Sequence, residues 1–439
     1  MEYLTVTGGN KLSGEITLHG AKNSSLPILA ATVLINGVSV IHNVPRLSDV
    51  EYTLEILNHL GAKTKREGST LIIDSTVINN NSIPEKLMKE MRSSIIFMGS
   101  LSSRLSESRM FLPGGCEIGL RPIDLHLSAF RALGYNITFD GENICSKFIK
   151  RNKNDIVLSY PSVGATENII LASVLLSGKT RIINAAREPE ISDLCDFLNK
   201  CGAEINGAGS TVIEITGKDK LSATEHTVIP DRILASTIMS AVAITGGEAT
   251  IKNINLSHLE PVTDVFLQSG CKLWAGDKSL TVKSPERLRR VKRIETQPYP
   301  GFPTDSQATV SAMLCKAKGV SIIKETVFEN RFRHIRELEK FGADIQVNSQ
   351  TAVINGVKSL TAATAYCTDL RGGAAVVVAS LAAEGTSVIK DIKHIDRGYE
   401  KIECQLSSLG AAVTRKNDEE KRQQKKEQTS EKKRWRQSA

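Results

Sequence analysis

The sequence lacks the uncharged apolar stretch of about 20 residues that a membrane-spanning helix requires. It begins MEYLTVTGGNKLSGEITLHG, which alternates apolar and polar residues and has neither the basic start nor the apolar segment of a secretion signal. Both absences argue against an integral membrane protein and against a secreted one. We therefore expect a protein without a membrane span that works in the cytoplasm.

Cysteine is present, but the paired spacings that metal sites and redox centres use are missing. The eight cysteines have no CxxC pair and lie at positions 116, 145, 195, 201, 271, 315, 367 and 404. Several, such as Cys315 in SAMLCKA, lie in apolar runs that are typical of buried helices. The sequence therefore predicts neither a disulfide framework nor a zinc site.

Aromatic residues are scarce, at 5% of the chain, and the net charge of +8 is unevenly distributed. From Arg415 onward, ten Lys or Arg residues and five Asp or Glu residues give the tail +5, which leaves +3 for the body. Such a tail is typical of a disordered, solvated segment, with an acidic partner or a membrane surface as the alternative contact. Because the body is nearly balanced and has no interleaved aromatic and basic residues, we expect no nucleic-acid binding.

An internal repeat divides the chain, which at 439 residues is too long for one ordinary core. Six segments, among them DFLNKCGAEI and ELEKFGADIQ, combine a helix end, a glycine and the start of a strand. The glycines are Gly61, Gly134, Gly202, Gly270, Gly342 and Gly410, with spacings of 73, 68, 68, 72 and 68 residues. Glycine at this place suits the left-handed backbone that ends many helices. We therefore predict six related units.

The first half of each unit consists of an apolar helix, a turn and a β-branched strand. TIMSAVAITGGEATI and AAVVVASLAAEGTSVI are two of the copies, and MRSSIIFMGSLSSRLSESRMFL is the most divergent. Helices that are apolar nearly all round are typical of buried positions. The pattern predicts an α/β protein of two similar domains, with helices inside and strands outside. We place one domain at 22–229, the other at 1–21 with 230–414, and a basic tail at 415–439.

Charged residues stand at the starts of many of these helices. An aspartate there is commonly a cap, but Lys and Arg oppose the helix dipole, so their repetition requires another reason. Helix N-termini together with Lys and Arg side chains form anion sites, so the pattern predicts a cleft for substrates with several phosphate or carboxylate groups. The candidates are Lys22, Asn23, Arg92, Arg121, Asp124, Ser162 to Glu167, Glu188, Glu190, Asp231, Arg232, Asp305, Glu329, Arg331, Asp369, Arg371, Asp396 and Arg397.

The segment PGGCEIGLRPIDLHL places Cys116 between glycines and close to Arg121. It lacks the strand-to-helix spacing of a dinucleotide-binding loop. A nearby cation stabilises the thiolate and lowers the pKa of a cysteine, so Cys116 is a candidate reactive group, with an incidental loop cysteine as the alternative. The histidines, of which His126 and His394 are the best placed, form no recognisable triad with it, which argues against a cysteine hydrolase.

These motifs resemble the UDP-N-acetylglucosamine 1-carboxyvinyltransferase family of enolpyruvyl transferases. The resemblance extends from residue 1 to about 414 and is carried, in order, by GAKNSSLPIL, PGGCEIGLRPIDLHL, YPSVGATENI, AAREPEI, IPDRI, GFPTD, TVFENRF, TDLRGGAA and HIDRGYEKIE. It implies a two-domain inside-out α/β barrel. It also implies transfer of the enolpyruvyl group of phosphoenolpyruvate to the 3-hydroxyl of UDP-N-acetylglucosamine, with release of phosphate, as the first committed step of peptidoglycan synthesis.

The resemblance also implies site residues. Cys116 is implied as the proton donor that fosfomycin alkylates, and Asp305 as the base for the sugar hydroxyl. Lys22, Arg121 and Arg397 are implied as the cations around phosphoenolpyruvate, and Asn23, Arg92, Arg331 and Arg371 as support. Contacts with the UDP-sugar are implied for Arg121, Pro122, Ile123, Asp124, Leu125, Ser162, Val163, Gly164, Asp305 and Val327, and Glu188, Glu329 and Asp369 are second choices. No metal or cofactor is implied, because Lys and Arg supply the positive charge.

Two stretches depart from the pattern of the family. PDRILAST has Leu234 and Ser236 where glutamate and glycine are common, and GFPTD is followed by Ser306 where methionine is common. One alternative is an enzyme of the 5-enolpyruvylshikimate-3-phosphate synthase type, which is not expected to carry the PGGC loop. The other is a non-catalytic paralogue that binds the UDP-sugar without turnover.

Overall fold

The computed structural model describes residues 2–113 and 123–417. Among these residues, six four-stranded sheets share one strand order, in which the first strand is parallel to the second and the third and fourth are antiparallel. The shared order confirms the six related units. In sheet order the strands are Glu225–Thr227, Val38–His42, Thr70–Asp74 and Lys63–Glu67; Ser82–Ile83, Glu107–Phe111, Asn143–Phe148 and Tyr135–Asp140; Asp155–Val157, Lys179–Ile183, Val212–Thr216 and Glu204–Asn206; Ser13–Thr17, Glu248–Lys252, Ser279–Lys283 and Lys272–Gly276; Ile294–Glu295, Val320–Lys324, Thr351–Asn355 and Asp344–Asn348; and Thr364–Tyr366, Thr386–Lys390, Glu2–Thr7 and Ala412–Asn417. A short pair joins Leu360–Thr361 to Ala383–Glu384.

The helices alternate with these strands along the chain. In chain order the α-helices are α1 (Lys22–Ala31), α2 (Ser48–His59), α3 (Glu85–Glu90), α4 (Phe97–Leu105), α5 (Asp124–Leu133), α6 (Val163–Ser173), α7 (Pro189–Lys200), α8 (Arg232–Ile244), α9 (Glu260–Gln268), α10 (Thr304–Leu314), α11 (Ile335–Glu339), α12 (Leu370–Leu381) and α13 (Ile402–Ser408). Short 3-10 helices cover Thr32–Leu34, Arg92–Ile96, Leu256–His258 and Ile392–Arg397.

Two groups of three helices form the interior. Helix α4 packs against both α1 and α6, while α8, α10 and α12 pack on one another. All 13 residues of α8 are buried, and two of its hydroxyls bond within the helix: those of Thr237 and Ser240 donate to carbonyls four residues earlier, at 3.0 and 2.8 Å. The prediction of helices inside and strands outside is confirmed. In the part of the chain that the structure describes, no helix is long and apolar enough to cross a bilayer.

The buried apolar residues form two separate cores. One contains residues between 26 and 228, and the other contains residues 4–18 together with residues between 234 and 413. The chain therefore passes between the cores near residues 19–22 and 229–231, where the amide of Ala21 donates to the carbonyl of Ile229 at 2.7 Å. We keep the predicted two-domain division at residues 22 and 230 as a proposal that rests on this grouping.

The predicted start of the tail at residue 415 is wrong. Arg415 to Asn417 belong to the last strand, which pairs with Glu2–Thr7. Arg415 is held there because its guanidinium contacts the carboxylates of Glu2, Asp396 and Glu403 at 2.6 to 3.0 Å. Residues 418–439 lie outside the described residues.

The six repeated glycines have the backbone that the sequence predicts. Their φ angles lie between 85° and 111°, in the left-handed region that favours glycine. Two of them differ in the space around them. A Cβ on Gly134, at the end of α5, would overlap the carbonyl of Lys150, whereas a Cβ on Gly202, after α7, would meet nothing within 4 Å.

We therefore expect Gly134→Ala to destabilise the protein more than Gly202→Ala. The Gly202 variant should lose about 1 kcal/mol of unfolding free energy because alanine is forced into a left-handed backbone. The Gly134 variant should lose about 2 kcal/mol more, because its methyl group also displaces a carbonyl. Urea denaturation measures both losses, and equal losses would contradict this account.

Candidate active site

The starts of two inner helices from different cores meet at one carboxylate. Asp231 caps α8 by accepting from the amides of Ile233 and Leu234 at 2.8 and 2.9 Å. Its other oxygen accepts from the amide of Lys22, the first residue of α1, at 3.2 Å. Asp231 therefore fixes the start of α1 to the start of α8.

Asp49, in the first turn of α2, joins two of the predicted cations. Its carboxylate lies 2.8 Å from Nζ of Lys22 and 2.9 Å from Nε of Arg397, and only 1% of its side chain is exposed. Burial alone would raise the pKa of Asp49, but Lys22 and Arg397 outweigh burial and lower it. Because Arg397 lies in the 3-10 helix of the other core, this ion pair connects the two cores.

Asp305, in the first turn of α10, contacts two further predicted cations. Its carboxylate oxygens lie 2.6 Å from Nη2 of Arg331 and 3.0 Å from Nη2 of Arg371. Burial acts to raise the pKa of Asp305, but the charges of Arg371, Arg331 and Lys22 hold it well below its usual range. Asp305 is therefore a carboxylate, and a quarter of its side chain remains exposed (25%).

These two ion-pair groups form one charged cluster. Burial lowers the pKa of Lys22; Asp49 opposes this, while Arg371 and Arg397 lower the pKa further. The Nε atoms of Arg331 and Arg371 are buried, and within residues 2–113 and 123–417 they have no hydrogen-bond partner. Guanidinium groups with donors left over suit phosphate or carboxylate. The geometry therefore fits a small anion between these helix starts.

Asp369 supports the same cluster from the start of α12. Its carboxylate accepts from the amides of Arg371 and Gly372 at 3.0 and 3.1 Å. Burial would raise the pKa of Asp369, but Arg331 and the amide of Gly372 lower it. It acts as a helix cap that orients Arg371. Among the other second choices, Glu329 is exposed.

A second group of predicted residues lies at the starts of α5 and α6. Ser162 caps α6, and a Cβ on Gly164 would lie 3.3 Å from the ring of His126. Nδ1 of His126 lies 2.8 Å from Nδ2 of Asn168. Burial, with a smaller contribution from Arg92, lowers the pKa of His126 to about 4, so this histidine is neutral.

Other residues that the sequence predicts as substrate contacts lie near these helix starts or elsewhere in the chain. Ile123 and Leu125, at the start of α5, are half-buried, as are Val163 in α6 and Asn23 in α1, while Asp124 is exposed. Arg92 opens the 3-10 helix that leads into α4. Cys116, Arg121 and Pro122 lie outside the described residues.

The segments that contain Val327 and Asp305 are held by hydrogen bonds to a buried acid, Glu325. Glu325 accepts from the amide of Val327 at 2.8 Å and from the hydroxyls of Thr296 and Thr304 at 2.9 Å each. Because Thr304 precedes Asp305, one carboxylate positions both Val327 and the start of α10.

Glu190 forms a buried two-point pair with Arg232. Their atoms lie 3.0 and 3.2 Å apart, and the guanidinium also lies over the ring of Tyr299. Glu188, the cap of α7, accepts from the amide of Tyr299 at 3.2 Å, and burial raises its pKa. These acids lie beside the cluster rather than in its ion pairs.

Two predicted helix starts are wrong. Arg397 is the last residue of a 3-10 helix, and α13 begins only at Ile402 because Lys401 has a positive φ of 44°. Arg331 lies four residues before α11 begins at Ile335. Both arginines still reach the cluster, since neighbouring turns direct them towards Asp49 and Asp305.

The sequence analysis missed Asp49, Glu325 and Tyr399. Tyr399 is fully buried, and its hydroxyl lies 3.1 Å from Nη1 of Arg371 and 2.9 Å from the hydroxyl of Thr237. Asp49 stands in RLSDVEY, where an acid in a first helical turn is so common that it gives no signal of its own. Across the described ranges, no three His, Cys, Asp or Glu side chains come together as metal ligands.

Comparisons with known proteins agree on one family. The profile of EPSP synthase (3-phosphoshikimate 1-carboxyvinyltransferase) matches residues 6–406. UDP-N-acetylglucosamine 1-carboxyvinyltransferase 2 of Caldanaerobacter subterraneus subsp. tengcongensis is 49% identical over 415 residues, which cover 94% of this chain and 100% of that protein. The UDP-N-acetylglucosamine 1-carboxyvinyltransferase of Finegoldia magna is 46% identical over 94% of this chain and 99% of its own.

Solved structures show the same fold at lower sequence identity. The enolpyruvyl transferase NikO from Streptomyces tendae superposes with a TM-score of 0.86 at 23% identity, covering 94% of this chain and 99% of its own. EPSP synthase from Acinetobacter baumannii superposes with a TM-score of 0.74 at 17% identity, covering 95% of this chain and 100% of its own. The inside-out α/β barrel architecture is therefore confirmed.

We expect Asp49→Asn to destabilise the protein by about 3 kcal/mol at neutral pH, because it leaves buried Lys22 without its counter-charge. A lowered native pKa stabilises the fold above the unfolded pKa of about 4 and ceases to do so as the pH falls through the native value. The deficit should therefore shrink as the pH falls below about 4, because the unfolded wild-type chain then binds a proton at Asp49 that the folded protein does not, and wild type loses stability that the variant never had.

Urea denaturation at pH 7 and at pH 3 measures this deficit. Glu51→Gln is the matched control, because Glu51 lies on the same helix and pairs with Arg66 but is 53% exposed. That variant should lose less than about 1 kcal/mol. A loss in the Asp49 variant no larger than in the control would contradict the importance of the buried pair.

Proposed function

The chain belongs to the UDP-N-acetylglucosamine 1-carboxyvinyltransferases of the enolpyruvyl transferase family, and we propose how its cleft performs their reaction. The protein is a transferase that moves the enolpyruvyl group of phosphoenolpyruvate to the 3-hydroxyl of UDP-N-acetylglucosamine, releases phosphate, and so serves peptidoglycan synthesis. The observation that supports this assignment best is the cluster of Lys22, Arg331, Arg371 and Arg397 between the two cores.

Phosphoenolpyruvate carries a phosphate and a carboxylate, and both need cations. We assign these groups to Lys22 and Arg397, with Arg371, Arg331 and Arg121 in support. In the structure, Asp49 forms ion pairs with the ammonium of Lys22 and the guanidinium of Arg397. Before substrate arrives, this carboxylate holds the two cations together, and the anionic groups of the substrate then share or replace it. Preorganised cations of this kind stabilise negative charge without reorganisation during the reaction.

The reaction requires three proton transfers, two in the addition and one in the elimination. In the addition, the 3-oxygen of the sugar bonds to C2 of phosphoenolpyruvate while C3 receives a proton. In the elimination, C3 loses a proton and phosphate leaves from C2, which restores the double bond. We assign protonation of C3 to the Cys116 thiol, return of a proton from C3 in the elimination to the thiolate so formed, and acceptance of the hydroxyl proton to Asp305. Paired with two arginines, Asp305 is a weak base; it becomes stronger if one arginine turns to the substrate phosphate.

We assign the UDP-sugar to the second group of residues, at the starts of α5 and α6. Helix starts leave amides unused by the helical ladder, and these favour a diphosphate. We therefore assign the diphosphate and uridine to the starts of α5 and α6, with Arg92, Ser162 to Gly164 and Ile123 to Leu125. Val327, held by Glu325, is assigned to the sugar beside Asp305. Asn23 lies next to Lys22 and is assigned to the boundary between the two substrates.

Two alternatives came from the sequence, an enzyme of the EPSP synthase type and a non-catalytic paralogue, and the observations argue against both. Relatives that are 49%, 46% and 43% identical carry the UDP-sugar activity in their names, which argues against an enzyme of the EPSP synthase type. Leu234 and Ser236 are buried within α8, so they alter packing rather than the ion pairs of the cluster. We propose that the enzyme works in the cytoplasm, and contact of the basic tail with an acidic partner stays a prediction.

We expect the purified chain to release phosphate from phosphoenolpyruvate only when UDP-N-acetylglucosamine is present. Asp305→Asn should lower kcat by at least about 100-fold, because the hydroxyl loses its proton acceptor. Its Kd for UDP-N-acetylglucosamine, measured by calorimetry, should change by less than about 3-fold, because the variant keeps the shape of the side chain.

Asp264→Asn, an exposed change on α9, serves as the control and should retain wild-type rates. Binding of the UDP-sugar by wild type without phosphate release would identify a non-catalytic paralogue. Equal losses of kcat and of binding in the Asp305 variant would make Asp305 a binding residue instead of a base.

We also expect Cys116→Ser to abolish covalent labelling by fosfomycin. Burial raises the pKa of Cys195, Cys201 and Cys315 to about 12, so these thiols provide little thiolate. Cys404 is exposed, and Cys404→Ser is therefore the matched control that should leave labelling intact. Intact-mass spectrometry measures the adduct, and an adduct that persists in the Cys116 variant would assign the reactive thiol elsewhere.

A further inference from the structure

A buried carboxylate outside the charged cluster connects to the start of α1. Asp193, on α7, is 3% exposed, and its Oδ2 accepts from the hydroxyl of Ser24 and from the amide of Ile229, the latter at 3.2 Å. Its Oδ1 lies 2.9 Å from Nε2 of His226. Ser24 is the third residue of α1, directly after Lys22 and Asn23, and Ile229 lies in the second crossing between the cores.

The partner of His226 settles the direction of its hydrogen bond. Nζ of Lys200 lies 3.2 Å from Nδ1 of His226. An ammonium group can only donate, so Nδ1 accepts and Nε2 carries the proton that is donated to Asp193. The carboxylate of Asp193 therefore accepts three hydrogen bonds, from the hydroxyl of Ser24, the amide of Ile229 and the ring of His226.

These bonds tie together the two segments that the chain uses to pass between the cores. Ala21 donates its amide to Ile229, and Asp231 donates its amide to His19 at 3.0 Å. Asp193 adds the third connection, from α7 to both the first turn of α1 and Ile229. Losing the carboxylate would remove one of the contacts that hold the first turn of α1, and with it one restraint on the backbone that carries Lys22.

We propose that Asp193 is a positioning residue for the reaction, which acts through Ser24 to fix Lys22 and Asn23 against the phosphoenolpyruvate site. This inference rests on the proposed function for its kinetic effect. Asp193 itself touches no assigned substrate contact, and its side chain lines a separate cavity of about 530 Å³ with Asp196, Asn199 and Lys200. A shift of a cation by a fraction of an ångström is enough to weaken an oriented substrate contact.

The test compares Asp193→Asn, Ser24→Ala and the double variant in the full chain. Both single variants should raise KM for phosphoenolpyruvate about 10-fold, the expected effect of losing a hydrogen bond to a charged group. KM for UDP-N-acetylglucosamine should change much less. The double variant should be no worse than Asp193→Asn alone, because both changes remove the same connection.

Asp196→Asn is the matched control, since Asp196 lies on the same helix and lines the same cavity but is exposed. It should retain wild-type constants. An Asp193 variant that loses only stability and kcat, with KM for phosphoenolpyruvate unchanged, would overturn the proposal, as would additive effects in the double variant. If Asp193→Asn does not fold, Ser24→Ala alone decides, because it removes one hydroxyl and leaves the other bonds of Asp193 in place.

A second measurement separates this inference from the proposed function. Backbone hydrogen exchange in residues 21–26 should quicken in Asp193→Asn and Ser24→Ala, and remain at the wild-type rate in Asp196→Asn. If wild type fails to release phosphate while this exchange pattern holds, the proposed function is wrong and the connection through Asp193 stands. Unchanged exchange in both variants would overturn the connection itself.

Discussion

The buried ion pair of Asp49 with Lys22 and Arg397 is the interaction on which the arrangement of the cleft depends. Charges taken out of water are stable only when they are paired, so this carboxylate and these cations must stay together. Because Lys22 and Arg397 come from different cores, their pairing also fixes how the cores face each other. The same cations that stabilise this contact are those that we assign to the anionic groups of the substrate, so in our proposal the geometry of the cleft and substrate binding depend on one another.

The inside-out architecture explains why the site lies at helix starts. The inner helices are apolar along their length, so charged groups are tolerated only at their ends. There Asp231 and Asp369 cap the helices and accept hydrogen bonds from the first amides. Their negative charges offset the positive end of the helix dipole, which would otherwise disfavour Arg232 and Arg371 in the same turns. Because the helices are buried, the charged side chains of both cores lie together at the helix ends where the cores meet.

Acids that take no part in the proposed chemistry build the frame around it. Glu325 fixes Val327 and the start of α10, Asp231 joins α1 to α8, and Asp193 holds the first turn of α1 through Ser24. Each is a buried carboxylate that accepts several hydrogen bonds, which is the condition under which such a group is stable in a core. The positions of the cations are therefore set by buried acids that hold the neighbouring backbone segments.

The sequence by itself determined the six units, the left-handed glycines, the buried helices and most of the cations, because period, turn chemistry and residue type are local properties. Through a resemblance of motifs it also made Asp305 a candidate for the base. Only the tertiary structure decided that Asp49 pairs with Lys22 and Arg397, that Arg331 and Arg397 act from turns and not from helix starts, and that Asp193 reaches Ser24. These contacts join residues 27, 348 and 169 positions apart, and an acid in a helical turn has no local mark that distinguishes such a partner from an ordinary cap.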